Sequence, residues 1–174
     1  MTRSITLARA IGVSVLLGSA AWAQAHPDFA GTWMVDVAKT ASASGRSGTG
    51  RAGAPITVTQ DAATLISIRT NGNKTIHRLD GKEVANLIPP LSPGSVQNPQ
   101  ANLPSPGTEE ICKSIWQGAK LVTTMTGRGA NGPTLATETR WMEGEWMVTE
   151  TIRKTPSGDR TTRFYWKRVK PHLA

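Results

Sequence analysis

Residues 134–154 read TLATETRWMEGEWMVTETIRK, two runs rich in threonine, valine, tryptophan and methionine on either side of Gly144. β-branched and aromatic residues are enriched in strands, and glycine tolerates the positive φ of a tight turn. The stretch therefore predicts a β-hairpin, with strands at 134–142 and 145–154. The same pattern recurs along most of the chain, so it decides the fold class.

Seven further runs of this kind are separated by clusters of glycine, asparagine, aspartate and proline. Short connections between neighbouring strands imply antiparallel pairing. No window after residue 25 places apolar residues at helical spacing over the length that a helix needs, although 82–88 could form a turn or two. The predicted class is all-β, and the remaining strands are expected at 31–37, 55–60, 64–70, 75–80, 109–117, 120–127 and 160–169.

Two stretches do not fit strands. Residues 41–54 are almost all alanine, serine, glycine, threonine and arginine, with no large side chain to bury. Residues 89–107 hold six of the eleven prolines, which cannot donate ladder hydrogen bonds. Both are predicted to be flexible loops.

The N-terminus has the three parts of a secretory signal. A basic start with Arg3 and Arg9 precedes an apolar run at 10–17, and Ala23-Gln24-Ala25 fits a cleavage site. We therefore expect a signal peptide at 1–25, one domain at 26–174 and a periplasmic or secreted location. Cys112 is the one cysteine, so no disulfide can form within the chain, and its apolar neighbours favour a buried position over a nucleophile.

Alternation along each strand predicts which side chains face inward. The predicted inward sets mix large apolar groups with many threonines, which need partners or water when buried. A partly wet cavity accommodates them better than a solid core, so a barrel of about eight to nine strands is preferred to a two-sheet sandwich. The sets are Trp33, Val35 and Val37; Ile66, Ile68 and Thr70; Leu121, Thr123 and Met125; Leu135, Thr137, Thr139 and Trp141; Trp146, Val148, Glu150 and Ile152; and Phe164, Trp166 and Arg168.

The first predicted strand opens with Gly31-Thr32-Trp33. This resembles the Gly-x-Trp entry motif of the lipocalin-like, or calycin, β-barrels, and the succession of motifs along the chain is similar to exported bacterial lipocalin-like domains. The resemblance implies an antiparallel up-and-down barrel. It also implies that Trp33 plugs the closed end and stacks against an arginine of the last strand, for which Arg168 is the matching position.

The predicted lining of the barrel provides the candidate binding residues. An apolar wall of Leu121, Met125, Trp141 and Trp146 would hold a ligand, with Glu150 and His77 as orienting polar groups. The same tryptophans could instead simply fill the barrel. Glu150 and His77 are also the candidate general acid or base, since a buried carboxyl or a histidine can titrate near neutral pH.

The sequence lacks the motifs of several kinds of functional site. The three histidines are far apart without metal-ligand spacing, and neither a phosphate-binding loop nor a serine-nucleophile elbow is present, so no metal and no cofactor are predicted. Export makes a nucleic-acid partner improbable.

The leading hypothesis is a monomeric, exported lipocalin-like protein that binds a small, largely apolar molecule. The alternatives are an isomerase or hydrolase on the same barrel, and an envelope-associated interaction protein. Removal of residues 1–25 takes away Arg3 and Arg9 and lowers the formal charge from +8 to +6, an excess that would favour weak association with anionic envelope surfaces.

Overall fold

The computed structural model describes residues 26–44, 54–90 and 103–169. The predicted signal peptide lies outside the described residues, as do 45–53 and 91–102, which make up most of the two predicted loops.

All nine predicted strands are present, and a tenth, β5, occupies the segment for which a helical turn was considered. That expectation was wrong because Val84 and Asn86 alternate with exposed residues at strand spacing, and β5 pairs with β6. The strands are β1 (Gly31–Val35), β2 (Ile56–Gln60), β3 (Thr64–Arg69), β4 (Lys74–Arg78), β5 (Glu83–Leu87), β6 (Glu109–Gln117), β7 (Lys120–Gly129), β8 (Gly132–Glu143), β9 (Trp146–Thr155) and β10 (Gly158–Arg168).

The strands form one antiparallel sheet in the order β4-β3-β2-β1-β10-β9-β8-β7-β6-β5. Every pair of neighbours in this order except β1–β10 is consecutive in sequence, as in an up-and-down meander. The two outer strands of the order, β4 and β5, lie beside each other, so the sheet curves into a nearly closed barrel. The all-β barrel prediction is confirmed, with one or two more strands than expected.

A short helix, α1 (Val37–Ser44), follows β1, where the sequence predicted the end of a strand and then a flexible loop. The Asp36 side chain caps the helix by accepting the Lys39 backbone N–H at 2.9 Å. The Thr40 hydroxyl accepts the backbone N–H of Tyr165 at 3.1 Å, a donor that a longer β1 would have satisfied. The cap and this contact to β10 explain why a helix forms here from residues with little apolar periodicity.

The large apolar side chains pack at one end of the barrel, which we call the core end. Their cluster joins the segment before β1 to five strands and is sealed by the fully buried Trp33. The cluster contains Phe29, Trp33, Ile56, Val58, Leu65, Leu121 and Met147.

The Gly-x-Trp motif has the expected geometry at the core end. The Arg168 guanidinium lies 4.7 Å from the centre of the Trp33 ring, and the two residues are ladder partners. Gly31 has a φ of +142°, and a Cβ at that position would lie 3.4 Å from the Arg168 guanidinium. Glycine is therefore required for the backbone conformation.

The predicted inward faces are right for β1, β7 and β10 and wrong for β3, β8 and β9. Val37, which was predicted to face inward on the first strand, instead begins helix α1. Ladder partners share a face, and Phe164 pairs with Thr149, which pairs with Arg140, which pairs with Leu121. The true inward sets are Leu65, Ser67 and Arg69 on β3; Thr134, Ala136, Glu138, Arg140 and Met142 on β8; and Met147, Thr149, Thr151 and Arg153 on β9.

The outer face of β9 and β10 is apolar because helix α1 covers part of it. Val148 is fully buried there, and Tyr165 is 6% exposed. The Lys39 ammonium lies 3.8 Å above the Trp146 ring and 4.7 Å above the Tyr165 ring. A strand with two buried faces has no clear inside in its sequence pattern, which is the physical reason for the inverted prediction on β9.

Of the predicted loop at 89–107, residues 89–90 and 103–107 are described. Pro104 forms an isolated β-bridge with Gly129, and the Ser105 N–H donates to the Arg128 carbonyl at 2.8 Å. Hydrogen bonds thus tie this segment to the end of β7, whereas the sequence predicted a flexible loop. Within the described residues, no helix is long and apolar enough to cross a membrane.

Candidate functional site

A polar cluster lies inside the barrel, directly above the apolar core end. The hydroxyls of Ser114 and Thr123 are 2.8 Å apart, and His77 Nδ1 lies 3.4 Å from the first and 3.5 Å from the second. All three side chains are at most 3% exposed. Strands β4, β6 and β7 each contribute one of them, so the curvature of the sheet assembles the cluster.

Arg140 and Glu138 form a charged pair next to this cluster. The Arg140 Nη2 donates to Glu138 at 2.9 Å, and Nη1 lies 3.4 Å from the Ser67 hydroxyl. Arg140 Nε is buried and has no hydrogen-bond partner among the described residues. An unsatisfied buried donor costs about 1–3 kcal/mol, so this position favours an acceptor from outside the chain.

The ionisation of the cluster follows from its burial. Burial and then the positive charge of Arg140 lower the pKa of His77 to about 4, although Glu138 acts in the opposite direction. Burial by itself would raise the pKa of Glu138. The charge and hydrogen bond of Arg140, together with His77 and Arg69, outweigh it and hold that pKa below its usual value. At neutral pH the cluster therefore contains a neutral imidazole beside an ion pair.

Towards the other end, which we call the mouth end, inward side chains meet solvent. Phe164 faces inward but is 38% exposed, and Glu138 keeps a side-chain exposure of 21%. Arg69 and Arg160, on the inner face of β3 and β10, are exposed. The inner wall above the core end is therefore accessible to solvent.

Arg153 and Glu110 lie on the inner wall near the mouth end. Arg153 pairs with the buried Ala136, and its Nη1 is buried without a hydrogen-bond partner in the described part of the chain. Burial raises the pKa of Glu110, while the charge of Arg153 acts to lower it. Near the mouth end, as at Arg140, the inner wall therefore carries a guanidinium N–H donor without a hydrogen-bond partner among the described residues.

Three of the predicted binding residues lie outside the barrel. Glu150 forms an ion pair with Arg163, and Arg163 also lies 5.8 Å from the Trp141 ring. Trp146 donates its indole N–H to Asp36 at 3.3 Å, beside helix α1. The predicted inward position of Trp141, Trp146 and Glu150 was wrong because β8 and β9 have the opposite facing.

The other predicted residues lie inside. Leu121 is part of the core-end cluster, and Met125 packs with Cys112 and Ala136 further up the wall. His77 belongs to the polar cluster, well separated from its predicted companion Glu150 on the outer face. The binding roles of these residues remain predictions.

Sequence reasoning missed the charged groups of the inner wall, Arg140, Glu138, Arg153 and Glu110. A usable signal was present in the turns. Gly144-Glu145 and Pro156-Ser157 are two-residue connections, since Glu143 pairs with Trp146 and Thr155 with Gly158. Given that Arg168 faces inward, these turn lengths also place Thr149 and Arg140 on the inner face.

Cys112 is fully buried, as its neighbours predicted, and burial raises the pKa of its thiol to about 11. The described residues contain no group of three or more histidine, cysteine, aspartate or glutamate side chains that could hold a metal ion.

No protein-family model and no curated protein matches the chain. Several solved structures are similar to it, and two of them follow. The zebrafish ileal bile acid-binding protein, crystallised with cholic acid, is 15% identical with a TM-score of 0.47, over 81% of this chain and 98% of that one. A secretory abundant heat-soluble protein of Ramazzottius varieornatus is 12% identical with a TM-score of 0.49, over 84% and 98%. At these scores neither likeness bears on function.

Proposed function

We propose that this protein is an exported barrel that binds a small, largely apolar molecule, with an acceptor group of the ligand directed to Arg140. Export rests on the signal-like residues 1–25. The binding hypothesis rests chiefly on one observation, the buried Arg140 guanidinium whose Nε has no partner in the described chain.

The surroundings of Arg140 support this choice of anchor. Apolar side chains of the core end lie below it, with Leu121 as its ladder partner and the Phe29 ring centre 6.0 Å from its guanidinium. An apolar site with few polar groups orients a ligand through those groups. A carboxylate is the acceptor that best matches a guanidinium.

Isothermal titration calorimetry with dodecanoate and the uncharged 1-dodecanol tests this proposal. We expect dodecanoate to bind more tightly than the alcohol, and Arg140→Met to weaken dodecanoate binding about tenfold or more. Arg163→Met is the matched control, because Arg163 is an arginine paired with a glutamate on the outer face. Glu150→Gln should also leave binding unchanged.

Arg140→Met leaves Glu138 unpaired and could unfold the barrel, so the conservative Arg140→Lys variant is measured as well. It keeps the charge but loses Nε, and we expect an intermediate affinity. The proposal is wrong if the folded wild type binds neither probe, or if Arg163→Met weakens binding as much as Arg140→Met does. Native mass spectrometry of protein from its natural source would identify the physiological ligand.

A second candidate function, an isomerase or hydrolase, is favoured by the polar cluster. A neutral histidine within 3.5 Å of two hydroxyls can accept a proton from one of them. Turnover in a panel of small hydrophobic esters and ketones that is lost in His77→Ala would support an enzyme. Turnover that persists in His77→Ala would rule out His77 as the base.

A further inference from the structure

The inner wall from Arg140 to the mouth end carries more positive than negative charge. Within the described strands, four arginines and two glutamates face inward there, and His77 is neutral. They are Arg69, Arg140, Arg153, Arg160, Glu110 and Glu138. Since the two carboxylates can offset only two of the guanidinium charges, the lumen matches a ligand with more than one negative charge.

Two of these arginines have buried donor atoms without partners among the described residues, namely Arg140 Nε and Arg153 Nη1. Buried guanidinium donors are nearly always hydrogen-bonded in folded proteins, and leaving them unpaired is costly. A bound anion could satisfy each of them.

The two unused donors lie at different levels of the barrel. Arg153 is the ladder partner of Ala136, which precedes Arg140 on β8 by four residues. Four residues of a strand span about 13 Å, so one small anion cannot reach both guanidinium groups. An elongated ligand along the lumen could reach both.

We propose that the ligand carries an anionic group at each end, one held by Arg140 near the core end and one by Arg153 near the mouth end. This inference rests on the proposed binding function and adds the chemical class of the ligand. The apolar parts of such a molecule would run past Phe164, which shares the ladder row of Arg140 through Thr149, and past Met125, which shares the row of Arg153 through Ala136.

The test compares dodecanedioic acid with dodecanoic acid by isothermal titration calorimetry at low ionic strength. We expect the wild type to bind the diacid about tenfold more tightly than the monoacid. Arg153→Met should remove this preference without weakening the binding of the monoacid. Lys154→Met is the control, since Lys154 is the next residue on the outer face and is paired with Asp159.

Circular dichroism shows whether Arg153→Met is folded, so that a loss of binding through misfolding is recognised. The conservative Arg153→Lys variant should keep part of the preference for the diacid. Equal affinities of the wild type for the two acids would overturn the two-anion inference and leave the proposed function intact. If neither acid binds to folded wild type, both the inference and the proposed function are wrong.

Discussion

The Asn86 side chain hydrogen-bonds to both backbone groups of Ile76, accepting from its N–H at 2.7 Å and donating to its carbonyl at 2.9 Å. These bonds connect β5 to β4, two adjacent, fully described strands that share no backbone ladder. A side-chain amide thus takes the place of a backbone partner at the one seam of the barrel within the described strands. Asn86 is 6% exposed, so water competes little for these bonds.

Replacing Asn86 with alanine should loosen this seam. The change removes the hydrogen-bond partner of both the N–H and the carbonyl of Ile76, and we expect a loss of about 1–3 kcal/mol in the free energy of unfolding. Urea denaturation measures the loss, and hydrogen exchange should accelerate at the Ile76 amide. Gln117→Ala, at the exposed β6–β7 turn, is the control. A stability equal to that of the control would show that the seam does not depend on the amide.

Replacing Arg168 with methionine should weaken the core end modestly. The guanidinium lies 4.7 Å from the Trp33 ring, and such a contact contributes about 0.5–1 kcal/mol at an exposed site. Denaturation followed by tryptophan fluorescence gives the value. Lys167→Met, on the opposite face of β10, should change stability by less. If the two variants were equally stable, the cation–π contact would not contribute.

Replacing Gly31 with alanine should cost more than replacing Arg168. A φ of +142° is unfavourable for any residue with a Cβ, and we expect a loss of about 1–3 kcal/mol. Calorimetric unfolding of Gly31→Ala and of Ala30→Gly separates this effect from a general sensitivity of the segment. An alanine variant as stable as the wild type would contradict the backbone argument.

The stability of the protein should fall between pH 6.5 and pH 4 because of His77. Burial and Arg140 lower the pKa of this histidine to about 4 in the folded state, so the unfolded chain binds more protons in this window. Stability is then highest above the window and decreases as the pH falls, by about 3 kcal/mol in total.

Urea denaturation at several pH values tests this slope against the His77→Gln variant. The glutamine cannot titrate, so the decrease over this window should be smaller, with any remainder coming from carboxyl groups whose pKa is lowered in the folded state, such as Glu138 and Asp36. Parallel pH profiles for the two proteins would mean that His77 titrates with an ordinary pKa.

The Cys112 thiol should be unreactive in the folded protein. It is fully buried, and burial raises its pKa to about 11, so the thiolate fraction at pH 8 is on the order of one thousandth. We expect labelling by a disulfide reagent to be at least about a hundredfold faster in denaturing urea. Equal rates in native and denaturing buffer would place the thiol in contact with solvent.

The sequence predicted the strands well because turn chemistry and β-propensity are local. Gly144 and the Pro156-Ser157-Gly158 segment mark tight turns whatever surrounds them. The facing of β8 and β9 was predicted wrongly because the apolar count of each face was compared strand by strand. On β8 and β9, the face with more large apolar side chains, among them Trp141, Trp146 and Val148, lies on the outside of the barrel.

Helix α1 could not be predicted from the helix propensity of its residues. Its residues are mostly small and polar, and two contacts outside it, the Asp36 cap and the bond from Tyr165 to Thr40, support it. Because the helix packs against β10, it also accounts for part of the apolar outer face, on which Tyr165 and its ladder partner Val148 are buried. The missed helix therefore accounts for the wrong facing of β9, but not for that of β3 and β8.

The sequence by itself determined the all-β class and the antiparallel pairing of neighbouring strands, because these depend on local turns and on strand alternation. The contact of Trp33 with Arg168 followed from the resemblance of the Gly-x-Trp motif to that of the lipocalin-like barrels. Only the tertiary structure decided which polar and charged groups share the lumen. His77, Ser114, Arg140 and Arg153 lie on four different strands, and the register and closure of the sheet bring them to one inner wall. Register depends on long-range packing, and a shift of one residue would turn each of these side chains outward.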